Sequence, residues 1–430
     1  MSDLSVRDAR RNMAILLFEN VSFSAGLTLL GLTTIVPNLV RLLGGGPLAV
    51  GSIEVIHVGG WLLPQLVAGR YTANRPLVKK YTLVPGLAGR ILMALALVVV
   101  WWSAERAPGL ALGALLFALL AFWMGDGLCN PGWMDLLGKG IPQQWRGRLL
   151  GAAQALSSLL GVGAGALVGV LLGGPRPFPR GYLLLLALAC ASFTAGMLGI
   201  ALLREPRGVV HSEQLPWREY FPRLLAILRS DARFGWLTIL RWLAGLADMA
   251  AGFYVLYAGD RLHVPAQALG LFVGAGVVGG FLAGTVLGPL GDRRGSARVI
   301  RVAMVLRCLC PALALFAPLV AGWHPWVAPG LLVLAFAAMG AINGTNLIGF
   351  LNYLLEIAPP AERSIYVALG NALTGLLMLA PLVAGVVVKL ASYEFLLALT
   401  LALAGLGLLL ALRGPRGLAR WWRVEEGAIP

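Results

Sequence analysis

Apolar residues along this chain come in blocks of twenty or more, separated by short polar stretches. A helix of a water-soluble protein carries an apolar stripe on one side and polar residues on the other. These blocks are apolar on every side, and their length suits the roughly 30 Å hydrocarbon core of a bilayer, which about 20 helical residues cross. The pattern predicts twelve membrane-spanning helices, spans one to twelve, over 13–36, 47–69, 81–103, 109–132, 149–172, 181–203, 234–258, 265–290, 297–319, 326–352, 364–388 and 393–412. The basic stretch from Ser2 to Asn12 precedes an apolar block too long for a cleavable leader and without a small-residue cleavage site, so span one is expected to remain in the chain. The predicted fold class is an all-α membrane protein.

Composition agrees. Of 430 residues, 59% are hydrophobic and 12% charged, where a soluble chain carries about a quarter charged. The net charge of +15 would suggest nucleic acid if it were gathered on one surface. Its distribution points elsewhere. Six basic residues fall in the odd-numbered loops (Arg41, Arg106, Arg176, Arg180, Arg261 and Lys389), three lie deep within spans, and 25 belong to the opposite side. This is the positive-inside asymmetry. It predicts a multi-pass protein of the cell's inner membrane with both termini cytoplasmic, and no nucleic-acid partner. Cys129, Cys190, Cys308 and Cys310 all fall inside spans. They read as buried, inert thiols, with no disulfide, metal or cofactor expected.

The one long polar interruption, from Arg204 to Arg233, divides the spans into two sets of six. The expected organisation is a six-helix bundle over 1–203, a cytoplasmic linker over 204–233, a second bundle over 234–412 and a cytoplasmic tail over 413–430. In the linker, Trp217, Phe221, Leu224 and Leu228 recur at helical spacing, which predicts an amphipathic helix on the membrane surface. The two halves repeat. With a shift of 217 residues, Asp126-Gly127 falls on Asn343-Gly344, Pro142 and Arg146 on Pro359 and Arg363, Gln154-Ala155-Leu156 on Asn371-Ala372-Leu373, and Arg90 on Arg307. Six spans separate the copies, so each pair has the same orientation in the membrane. These are parallel repeats related by an axis along the membrane normal.

The loop after span eight reads Gly288-Pro-Leu-Gly-Asp292-Arg293-Arg-Gly295-Ser-Ala-Arg298. Gly288 permits close helix packing, Gly295 a tight turn, and Asp292 sets an anion beside basic groups and a helix N-terminus. The run resembles the cytoplasmic signature of the major facilitator superfamily. The resemblance extends over the whole chain and implies that Gly288, Asp292, Arg293, Gly295 and Arg298 latch the cytoplasmic side in outward-facing states. The first half departs from this pattern: Gly69 and Lys79 match, but Ala73 and Asn74 occupy the aspartate and arginine positions. The run from Pro142 to Arg148, Pro-x-x-x-Arg-Gly-Arg, is similar to bacterial members of the superfamily. Gly161, Gly165 and Gly169 in span five lack the Gly-Pro pair of the antiporter motif and read as helix-packing glycines. Gly274-Ala-Gly276-Val-Val-Gly279 matches a dinucleotide-binding fingerprint in letters. It has no strand before it, and helix packing is the better account.

Polar residues inside spans mark pathways or buried pairs. The resemblance implies that spans one, four, seven and ten line a central cavity. Those spans hold Glu19 and Asn20, Asp126, Arg241 and Asp248, and Asn343 and Asn346, while Gln154 and Asn371 add repeat-related amides from spans five and eleven. These are candidates for the substrate or proton pathway. His57, one turn from Glu54 in span two, joins them because a histidine beside a carboxylate can titrate near neutral pH. Arg90 and Arg307 read as structural: Arg90 is expected to pair with Asp126, and Arg307 to bond Asn343. Asp248 lies near the middle of span seven, with Arg241 seven residues earlier on the same face and placed to compete for it.

Together these features predict a secondary transporter that moves a small-molecule solute by alternating access, driven by protons through Glu19, Asp126 or Asp248. A uniporter or lipid flippase of the same fold would carry similar features, and so would a non-transporting membrane sensor, though a sensor would gain from an added soluble domain. No paired catalytic motif or nucleophile elbow suggests an enzyme. The expected partners are the solute, protons and the bilayer, with the chain as a monomer.

Overall fold

A backbone in hydrocarbon has no water to bond, so each crossing segment must satisfy its own N–H and C=O groups. The computed structural model describes residues 5–72, 75–174, 177–207, 231–322, 324, 326–358 and 363–414. Among these residues it contains no strand. Twelve helices are long and apolar enough to cross a membrane: Val6–Leu42, Pro47–Gly69, Lys79–Ser103, Pro108–Gly140, Gly151–Gly173, Phe178–Ala201, Ala232–Asp260, Ala268–Gly291, Ser296–Val320, Val327–Ile357, Leu369–Leu390 and Tyr393–Arg413. Each overlaps one predicted span. Spans one, four and ten run further than their apolar cores because their ends continue as helix into the polar flanks. The predicted linker helix lies almost wholly in 208–230, outside the described residues.

Large apolar side chains face outward all along the spans. Leu159, Val170 and Leu390 are 72%, 72% and 80% exposed, a pattern that suits lipid and not water. By contact the chain forms two compact units, one of 1–212 with 252–277, the other of 213–251 with 278–430. In the first unit, spans five and eight approach backbone to backbone: a Cβ on Gly165 would lie 3.0 Å from the Gly270 carbonyl oxygen. In the second, a Cβ on Gly279 would collide with the carbonyl oxygen of Ala337 in span ten. Gly161, Gly165 and Gly279 are therefore packing positions, as the sequence implied, whereas a Cβ on Gly274 would meet nothing within 4 Å.

Several spans are interrupted. Span one leaves the α-helix at Gly31, whose φ of 54° caps the helix ending at Leu30, and resumes at Ile35–Leu42. Span seven stops at Ala247, passes through a 3₁₀ turn over Asp248–Ala250 and resumes at Phe253–Asp260. Gly31 and Asp248 are 217 residues apart, so the break belongs to the repeat. Wide π turns occur at Val55–Gly59, around His57, and at Asn346–Leu351. Such turns are frequent at functional sites. Gly295, at φ 82°, alone joins the helices ending at Arg294 and starting at Ser296, a geometry that a side chain would strain.

Candidate functional site

In the first unit the intramembrane charges gather around Arg90, which is 1% exposed in span three. Its Nη2 donates to Asp126 Oδ1 at 3.3 Å, its Nε to the Phe193 carbonyl at 3.0 Å, and its Nη1 to the Gly86 carbonyl at 2.8 Å. The guanidinium also lies 5.3 Å from the Phe122 ring centroid. The expected Arg90–Asp126 pair is present because spans three and four pack through facing glycines: a Cβ on Gly89 would meet the Ala121 carbonyl oxygen at 2.7 Å. Glu19, also buried, accepts a hydrogen bond from the Trp133 indole at 2.9 Å. Trp133 was not singled out from sequence. The signal was there, since a tryptophan in an apolar span needs an acceptor for its N–H.

His57 and Glu54 meet as expected, with Nδ1 3.1 Å from Oε2. The imidazole also lies 4.1 Å from the Trp123 ring. Asn20 is half-buried and Gln154 is exposed, its amide 3.4 Å from Ser158 Oγ on the same helix. Neither is among the hydrogen-bond partners of Arg90 in the described residues.

In the second unit the expected partnerships change. Arg307 donates from Nε to both Asp248 oxygens, at 3.0 and 3.1 Å, and from Nη2 to Asp248 Oδ2 at 2.8 Å. Nη2 also reaches Asn346 Oδ1 at 3.3 Å. Asn343, expected to bond Arg307, is exposed, and the amide that does bond it is Asn346, three residues on where the π turn begins. Arg241, expected to compete for Asp248, makes no bond to it. The physical reason is the break in span seven: it ends the regular face that would set Arg241 under Asp248, and a carboxylate outranks a neutral amide as an arginine partner. Asn371 is exposed in span eleven.

Arg90 and Arg307 share one further feature. Each Nη1 bonds the carbonyl four residues earlier, Gly86 at 2.8 Å and Ala303 at 3.4 Å. The repeat thus preserves the arginine's anchoring while moving its carboxylate from span four to span seven.

Glu356 at the end of span ten accepts from Ser296 Oγ at 2.5 Å and from its backbone N–H at 3.4 Å, capping span nine. The equivalent position in the first half is Lys139. There the cap comes from Glu205, which accepts from the backbone N–H groups of Val78 and Lys79 and lies 2.8 Å from Lys139 Nζ. The side chain of Asp292 lies outside the described residues.

A family model described as Major Facilitator Superfamily matches residues 237–426. By this match the second half of the chain resembles the major facilitator superfamily. The whole length of the chain has that superfamily's fold. A bacterial homologue of the iron transporter ferroportin, in an inward-facing state, superposes with a TM-score of 0.66 at 17% identity, over 94% of this chain and 98% of its own. A bacterial homolog of the human lysosomal transporter Spinster, inward-facing and unoccupied, gives 0.67 at 13% over 97% and 99%. A POT family transporter in complex with 5-aminolevulinic acid gives 0.68 at 13% over 96% and 97%. At such identities the likeness is one of fold. No curated protein sequence matches the chain. Among the described residues, no three His, Cys, Asp or Glu side chains stand together as metal ligands.

Proposed function

We propose that this protein is a secondary active transporter that carries a small solute across the cell's inner membrane by alternating access, coupled to protons. The observation that carries the reading is the Asp248–Arg307 pair at the broken centre of span seven. An ionisable pair inside a membrane is costly and marks a pathway, and a 3₁₀ break lets the carboxylate move relative to its partner when the helix straightens. Glu19 and Asp126, on spans one and four, are the further proton candidates. His57, Asn20, Asn343, Asn346, Gln154 and Asn371 are candidates for the same route. The proposed orientation has both termini in the cytoplasm, from the charge asymmetry of the loops. Two six-helix bundles over 1–203 and 234–412 would change orientation, and Asp292 and its basic neighbours would latch the cytoplasmic side. The chain would work as a monomer and without a catalytic centre.

The test is a solute screen by thermal shift on detergent-purified protein, followed by flux in proteoliposomes with an imposed pH gradient. Accumulation that follows the gradient supports coupling. Flux indifferent to pH would make the protein a uniporter, and no flux of any stabilising solute would sink the transporter reading.

A further inference from the structure

The three intramembrane arginines differ in one respect. Arg90 and Arg307 each hold a carboxylate and backbone carbonyls. Arg241, half-buried in span seven, has neither a hydrogen bond nor an ion pair among the described residues. The one carboxylate near it along the span, Asp248, is occupied by Arg307. An arginine in this setting costs free energy that no counter-charge offsets.

The repeat shows that the architecture does not require it. Arg90 and Arg307 occupy equivalent positions, but the equivalent of Arg241 is Ser24. The neighbouring position changes in step. The Arg241 guanidinium lies against Gly370 of span eleven, where an added Cβ would come within 3.1 Å of Nη1. The first-half equivalent of Gly370 is Ala153, which carries that Cβ. The second half therefore departs from the first twice, gaining an arginine and losing the methyl group that would crowd it. A guanidinium with free donors and a cleared seat is suited to the planar oxygens of a carboxylate or phosphate.

We propose that Arg241 is the anion-contact residue of the transporter, so that its solute carries a carboxylate or phosphate group. The proposal rests on the transporter reading and names the chemistry of the solute. The experiment uses the full chain in a detergent free of anionic lipid. Acetate, lactate, citrate, inorganic phosphate and glucose 6-phosphate are titrated by thermal shift against uncharged glucose and glycerol.

At least one anion should stabilise the wild type, with affinity about tenfold or more weaker in Arg241→Gln, as the loss of a charged hydrogen-bond pair implies. Arg241→Lys keeps the charge without the fork, and Gly370→Ala shifts the fork. Both should fall between these limits. Without ligand, Arg241→Gln should melt at or above the wild-type temperature, because it removes an unpaired charge. A clearly lower melting temperature would make Arg241 structural and overturn the proposal, as would unchanged anion affinity in that variant. Stabilisation by phosphatidylglycerol but by no soluble anion would assign Arg241 to a lipid headgroup and overturn the solute claim. Flux separates the two readings: transport of uncharged solutes alone would leave the transporter and remove the anion, whereas anion binding through Arg241 without flux would do the reverse.

Discussion

Arg307 holds Asp248 with two guanidinium nitrogens at the point where span seven stops being an α-helix, Nη2 standing 2.8 Å from Oδ2. The two side chains differ sharply in exposure, 1% for Arg307 against 36% for Asp248. The cation is fixed in the packing while the carboxylate is reachable. A proton or solute arriving at Asp248 would therefore compete with a stationary partner, which is the basis of the proposed coupling.

Asp248→Asn keeps one acceptor oxygen for Arg307 but cannot take up or release a proton. In proteoliposomes it should abolish accumulation driven by a pH gradient and preserve exchange at equal solute concentrations. Accumulation with the wild-type pH dependence would move the coupling role elsewhere, with Glu19 next to test. In melting experiments, Asp248→Asn and Arg307→Gln should each destabilise, and the double variant should lose less than the sum.

For Arg90 the expected order of damage is set by its bonds. Arg90→Gln removes the contacts to Phe193 and Gly86 as well as the one to Asp126, and should cost about 3–5 kcal/mol. Asp126→Asn leaves an oxygen for Arg90 to bond and should cost about 1–3 kcal/mol. Thermal or denaturant melts in one detergent would rank them. The reverse ranking would mean that Asp126 is held by something other than Arg90.

Gly279 and Gly284 give a controlled pair within span eight. A Cβ at Gly279 would strike the Ala337 carbonyl oxygen, whereas nothing lies within 4 Å of one at Gly284. Gly279→Ala should destabilise by at least about 1–3 kcal/mol, the usual cost of overpacking, and Gly284→Ala should be close to neutral. Equal melting temperatures would contradict the close approach of spans eight and ten.

Topology can be checked at exposed loop positions. Glu105 and Arg75 are both exposed, on opposite sides of span three. In a background without native cysteines, Glu105→Cys should react with an impermeant thiol reagent in intact cells and Arg75→Cys should not. Labelling of Arg75→Cys from outside would invert the proposed orientation.

The sequence by itself determined the twelve spans, the parallel repeat and the inventory of intramembrane polar groups. Each depends on a property carried by single residues or short runs: transfer free energy fixes where a span lies, and the 217-residue spacing needs no contact to be seen. Even the Arg90–Asp126 pair was legible, because it joins adjacent spans at similar depth. The tertiary structure decided which partner each remaining group takes. Asn346 and Asp248, not Asn343, bond Arg307, because a π turn and a 3₁₀ break rotate them into reach, and such turns arise from packing that no local pattern encodes. Glu205 caps span three where the repeat would have put Lys139, since a residue beyond span six reaches that helix end only after the bundle has closed. Partner choice in a membrane is fixed by depth, rotation and helix irregularity together, and those three meet only in the folded chain.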